Sequence, residues 1–219
     1  SEIDARRTAD GGDIFTQFCQ LKDEDGNHFS PEEIRDHILF LLFAAHDTTT
    51  STLCSTLYAL ASNPDWQEEI RAEMRDLGRE QLELGDLEQL VKTGWTIKEA
   101  LRMHPPLAMM PRHALAEFEF GGHRFPANTP VAVSPLFTHY MTEYWRDPTV
   151  FDPTRFSPGR AEEKGNFYQY IPFGGGAHKC LGLHFAEVQG KTLLYHLLTR
   201  YQVSKDSKLT HYNYNNVPL

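Results

Sequence analysis

Ten residues, Phe173-Gly174-Gly175-Gly176-Ala177-His178-Lys179-Cys180-Leu181-Gly182, constrain this chain more than any other stretch. Three consecutive glycines permit positive φ and close backbone approach to something flat or bulky, which a cysteine that merely packs does not require. A helix-like segment begins immediately behind Cys180, so its thiolate would be stabilised by backbone N–H groups and the positive end of a helix dipole. Such a thiol suits a nucleophile, a metal ligand or an inert core position. A nucleophile needs a base oriented by a third group, and His178, two residues away, points elsewhere. Zinc and iron–sulfur sites need several cysteines at short spacing, whereas Cys19, Cys54 and Cys180 are far apart in sequence. The phosphate-loop pattern fails because the third glycine of a dinucleotide fingerprint would fall on Lys179. The loop therefore reads as a presenter of Cys180.

Phe-x-x-Gly-x-His-x-Cys-x-Gly followed by Ala186 resembles the haem-binding loop of the cytochrome P450 superfamily. The departure is His178, where most members carry an arginine aimed at a haem propionate; a histidine can also donate there, with a dependence on pH. The resemblance implies haem b (iron protoporphyrin IX), with Cys180 as axial ligand and Phe173, Gly174, Gly176, His178 and Gly182 as parts of the cofactor loop.

Three further patterns follow the family's order. Glu99-Ala100-Leu101-Arg102, ended by His104-Pro105-Pro106, resembles its Glu-x-x-Arg helix, and Pro153-Thr154-Arg155-Phe156 resembles its Pro-x-Arg-Phe element. The family joins these residues in a buried structural triad, here Glu99, Arg102 and Arg155. The third pattern is Ala44-Ala45-His46-Asp47-Thr48-Thr49. Ser30-Pro31-Glu32-Glu33 predicts a helix start with a capping box and proline at the first position. Apolar residues from Ile38 to Ala45 cover all sides, which predicts a helix buried on every side. An acid and hydroxyls inside such a helix have two readings. In one, the threonines bond back to carbonyls one turn earlier and Asp47 finds an arginine or solvent. In the other, implied by the resemblance, Asp47 and Thr48 stand over the haem and relay protons to oxygen, with Ala45 where many members have glycine and Ala44 beside the substrate.

The resemblance also matches Arg112 to a propionate-pairing arginine; a solvated arginine opening a strand is the other reading. Leu107 to Met110 match a stretch lining the substrate pocket, Leu107 and Met110 foremost, or are ordinary core. Methionines there would form an adaptable apolar wall.

The remaining sequence predicts a mainly α body with a small β portion. A helical run is expected near Ile14 to Leu21 and a turn at Asp23–Asn27. Asn63-Pro64-Asp65-Trp66 caps a helix to about Leu77, and another helix carries Glu99 and Arg102. Alternation from Arg112 to Val133 predicts strands, with turns at Gly121-Gly122 and at 125–129. A long loop rich in glycine, proline and aspartate runs to Lys164. Leu181 to Arg200 closes the body as a helix, and the tail through Leu219 reads as strand or coil.

With 30 acidic against 21 basic residues, the formal charge of −9 argues against a nucleic-acid partner. Three scattered cysteines favour a reducing, cytoplasmic setting over secretion. No run approaches the roughly 18 apolar residues of a membrane span. Family members are roughly twice as long, so the resemblance implies that residues 1–219 are the C-terminal portion of the haem domain, with the N-terminal half, and any membrane anchor in it, absent. It further implies a monooxygenase acting on an apolar substrate, with sterols or lipids suggested by the wording around Asp47 and His178. Electrons would come from a separate ferredoxin or flavoprotein reductase. Two alternatives stand beside it: a truncated haem-binding or oligomerising module without turnover, associating through exposed apolar surface, and a peroxide-using haem-thiolate enzyme.

Overall fold

The computed structural model describes residues 2–206; the expectation for the tail beyond lies outside the described residues. The chain divides into two compact units, Ser1–Asp47 and Thr48–Leu219.

The first unit holds α1 (Glu2–Arg6), α2 (Ile14–Gln20) and the first half of α3 (Pro31–Ser62). Asp13 caps α2 by accepting from the Thr16 N–H at 3.0 Å. The predicted capping box starts α3: Ser30 Oγ accepts from the Glu33 N–H at 3.2 Å, and Glu33 Oε2 accepts from the Ser30 N–H at 2.8 Å. The Ser30 backbone bond holds the Glu33 carboxyl below its ordinary range. Ile34 and Cys19 are buried, and the His37 ring meets Phe18 and Phe29.

One expectation fails here. The apolar stretch of α3 is not buried on every side: Leu39, Phe40, Leu42 and Phe43 are 57–73% exposed. Apolarity all round a helix records a demand for cover; the short α1 and α2 of this unit leave these four side chains open.

The second unit packs the end of α3 with α4 (Pro64–Leu77), α5 (Val91–Met103) and α7 (Leu183–Leu198). Leu60, Ile70, Met74, Leu90, Ile97, Leu101, Leu194 and Leu198 form its core. Asn63 does not cap α4 through its side chain, as the sequence suggested; its amide donates back to the Ala59 carbonyl at 2.8 Å, one turn up α3. Glu73 of α4 instead caps α5, accepting from the N–H groups of Lys92 and Thr93 at 2.6 and 3.0 Å. That fixes the helix carrying Glu99 and Arg102.

The β portion is two antiparallel pairs. β1 (Met110–His113) pairs with β4 (Pro130–Val133), and β2 (Phe118–Phe120) with β3 (His123–Phe125) across the Gly121-Gly122 turn. Both turn glycines have positive φ, 59° and 77°, as a two-residue hairpin requires. A short helix that the sequence analysis did not anticipate, α6 (Pro135–His139), starts at Ser134, whose Oγ accepts from the Phe137 N–H at 3.2 Å. Among the described residues no helix is long and apolar enough to cross a membrane.

Candidate functional site

The expected triad residues meet in the interior. Glu99 and Arg102 are fully buried and Arg155 nearly so. Arg102 grips Glu99 with two bonds, Nε to Oε2 at 2.7 Å and Nη2 to Oε1 at 2.8 Å. Arg155 Nε donates to Glu99 Oε1 at 3.2 Å, and the Asp152 N–H adds a bond at 3.0 Å. The guanidiniums then organise irregular backbone. Arg102 donates to the His139 carbonyl at 2.8 Å, and Arg155 to the carbonyls of Arg146, Asp147 and Val150. Asp147 sits at φ 46°, a left-handed conformation that aspartate tolerates. Buried charges persist only when paired and bonded in this way.

The cysteine loop leaves this cluster at Ile171. The Ile171 carbonyl accepts from the Gly174 N–H at 3.0 Å, and the Phe173 carbonyl accepts from the Cys180 N–H at 3.0 Å, closing the loop on itself. Phe173 packs against the core of the second unit. Gly174 and Gly176 have φ of 70° and 67°, which is why glycine stands at both. Gly175, at φ −158°, is ordinary extended backbone. A side-chain carbon on Gly174 would lie 3.4 Å from Met110 Sδ, so β1 runs against the loop. Gly174→Ala is expected to cost about 1–2 kcal/mol in urea unfolding, from the left-handed backbone. Gly175→Ala should cost less, since its nearest neighbour is the movable, exposed Tyr168 ring.

Cys180 is exposed, and α7 begins at Leu183 rather than immediately behind it. Gly182 stands at the N-cap of that helix, and a side-chain carbon added to it would lie 3.8 Å from Cys180 Sγ. His178 is exposed, and Arg112 is exposed on β1 with Nη1 donating to the Pro111 carbonyl at 2.8 Å. Leu107 is 55% exposed, which removes the core reading for that residue; Met110 is half-buried.

On α3, Asp47 is exposed and its Oδ1 lies 2.7 Å from His46 Nδ1, so it finds a histidine rather than an arginine. Ala45 is exposed, Ala44 and Thr48 half-buried. Thr52 donates back to the Thr48 carbonyl at 2.9 Å and Thr56 to the Thr52 carbonyl at 2.8 Å. Threonine back-bonding thus occurs further along α3, at Thr52 and Thr56.

Sequence reasoning missed His139, Trp145 and Tyr170. His139 is fully buried, stacked on Tyr170 at 5.4 Å and edge-on to Trp145 at 6.3 Å, while Arg102 lies over the Trp145 ring. Desolvation pushes the His139 pKa down to about 4; the bond to the Arg102 carbonyl opposes this, and the Arg102 charge adds to it. Nothing local in the sequence marks the last residue of so short a helix as buried.

The donor chemistry suits haem. Among the described residues no group of three His, Cys, Asp or Glu side chains could hold a bare metal. An iron held by Cys180 would have to bring its other donors with it, as a porphyrin does. Side-chain-free backbone at 174–176 lets a flat ring approach, and His178 and Arg112 are exposed donors for carboxylates.

Comparison with known proteins agrees with this fold: the cytochrome P450 family profile matches residues 1–216, and the chain belongs to that family. It is similar to cytochrome P450 136 of Mycobacterium tuberculosis, 38% identical over all of this chain but only 45% of the relative. It is also similar to a sterol 14alpha-demethylase of Mycolicibacterium vanbaalenii, 35% identical over 87% of this chain and 43% of that protein. The structure of retinoic acid-bound cyanobacterial CYP120A1 superposes with a TM-score of 0.82 at 31% identity, over 90% of this chain and 46% of the other. The chain thus spans less than half the length of these relatives.

Proposed function

We propose that this chain is the C-terminal portion of a haem-thiolate monooxygenase that inserts one oxygen atom from O2 into an apolar substrate. The carrying observation is the exposed Cys180 thiol, held by its own backbone bond to Phe173 at the end of a loop with two left-handed glycines.

In this reading Cys180 ligates the iron of haem b, Gly174, Gly176 and Gly182 keep the loop clear of side chains, and Phe173 ties it to the core. His178 and Arg112 hold the propionates. Bound there, the haem would supply the oxygen chemistry, with thiolate donation favouring O–O cleavage. Asp47 and Thr48 serve proton delivery, with His46 Nδ1 2.7 Å from Asp47 Oδ1. Ala45 leaves room for oxygen, and Ala44, Leu107 and Met110 offer apolar walls to the substrate. The relative named as a sterol 14alpha-demethylase, and the neighbour bound to retinoic acid, support a sterol or other lipid. Electrons would come from a ferredoxin or flavoprotein reductase. The exposed side chains of Leu39, Phe40, Leu42 and Phe43 support association with further protein.

The test is the carbon-monoxide difference spectrum of the reduced, haem-reconstituted chain. A strongly red-shifted Soret band, abolished in Cys180→Ser, is the expected result; a band that the substitution leaves unchanged overturns the assignment.

A further inference from the structure

We propose that His139 is a positioning residue that fixes the Cys180 loop, clamping the backbone of Ile171 to the carbonyl end of α5 through its two ring nitrogens. The link to catalysis rests on the reading of Cys180 as ligand; the clamp itself does not.

The last carbonyls of a helix have no partner within it. At the end of α5 the Ala100 carbonyl is taken by the His104 N–H at 2.8 Å, and the Met103 carbonyl by Tyr140 OH at 3.1 Å. The Arg102 carbonyl lies 3.0 Å from His139 Nδ1. A carbonyl only accepts, so Nδ1 must carry the proton. The Ile171 N–H donates to Nε2 at 3.0 Å, so Nε2 must be bare. Both neighbours demand the same neutral tautomer.

Ile171 is the last residue before the loop. Its carbonyl receives the Gly174 N–H, and the next turn closes from Cys180 onto Phe173. A second tie runs beside the first: Tyr170, stacked on His139, donates its OH to the Lys98 carbonyl at 3.0 Å, one helical turn before Arg102. The entry to the cysteine loop is thereby held against the helix that bears Glu99 and Arg102. Histidine alone offers a donor and an acceptor at these two reaches; asparagine reaches only the Arg102 carbonyl, glutamine the Ile171 N–H.

Amide hydrogen exchange on the full chain tests this. In His139→Asn the amides of Gly174 and Cys180 should exchange about tenfold faster or more, while those of Glu99 to Arg102 stay within about twofold. His139→Gln should restore slow exchange in the loop. In haem-loaded protein the red-shifted fraction of the carbon-monoxide band should fall in His139→Asn and recover in His139→Gln. Uniform acceleration of loop and α5 amides, or an unchanged loop, overturns the proposal. Imidazole nitrogen NMR on the unmutated chain needs no variant to fold: Nδ1 protonated with Nε2 bare is expected, and the opposite tautomer overturns the clamp. A parent without a red-shifted band beside the expected exchange contrast would overturn the ligand reading and leave the clamp standing.

Discussion

Glu99→Gln should destabilise the chain by about 3–5 kcal/mol in equilibrium urea unfolding, because it leaves two buried guanidiniums facing a neutral group. Glutamine matches glutamate in shape, and its oxygen can keep the bonds from the Asp152 N–H and Arg155. Its NH2 must then face Arg102 Nε, donor against donor, where Glu99 Oε2 accepted at 2.7 Å. Arg155 retains Glu162 at 3.0 Å, but that carboxylate is partly exposed and cannot replace a partner that is fully buried. The loss is a large fraction of the roughly 5–15 kcal/mol that holds an ordinary domain folded. Arg102→Gln should cost a similar amount, and the double variant less than the sum, since each removes the other's partner. A cost below about 1 kcal/mol for Glu99→Gln would mean that the triad's charge is not what holds these elements together.

Acidification should weaken the fold before ordinary carboxylates begin to titrate. The folded state holds His139 neutral down to about pH 4, whereas an unfolded histidine takes its proton near pH 6.5. Between these values the unfolded chain binds the proton that the folded chain refuses, so stability falls as pH falls across that window and levels off below it. The drop from this group is about 3 kcal/mol. The charged group facing it is Arg102, which is bonded to Glu99; Tyr170 and Trp145 present rings. His104, also lowered by burial and then by Arg102, adds a component of the same sign. Unfolding measured at about pH 7, 5.5 and 4.5 should show the decline, and His139→Gln should flatten it. A parent curve that is flat over this range would contradict the buried neutral histidine.

The legible parts of this fold were those written in local chemistry. Ser30-Pro31-Glu32-Glu33 announces the start of α3 because capping is settled within four residues. Gly121-Gly122 announces its hairpin because a two-residue turn needs positive φ at both positions. The triad was legible only through a resemblance, since nothing local ties Glu99 to Arg155, fifty-six residues on. Three things escaped for the same reason. The exposure of Leu39 to Phe43 depends on which elements are there to cover them. Asn63 chose the Ala59 carbonyl over its own helix. His139 is defined by a carbonyl and an amide group thirty-seven and thirty-two residues away.

The stretch from Trp145 to Glu162 carries little regular structure, yet Arg155 holds the carbonyls of Arg146, Asp147 and Val150 from a single side chain. A helix can fray residue by residue because each turn keeps its own bonds. Here three backbone anchors hang on one guanidinium, which is held by Glu99 in α5 and by Glu162 at the end of the same stretch. Loss of that guanidinium would remove all three of these backbone bonds at once, where a fraying helix loses them one by one.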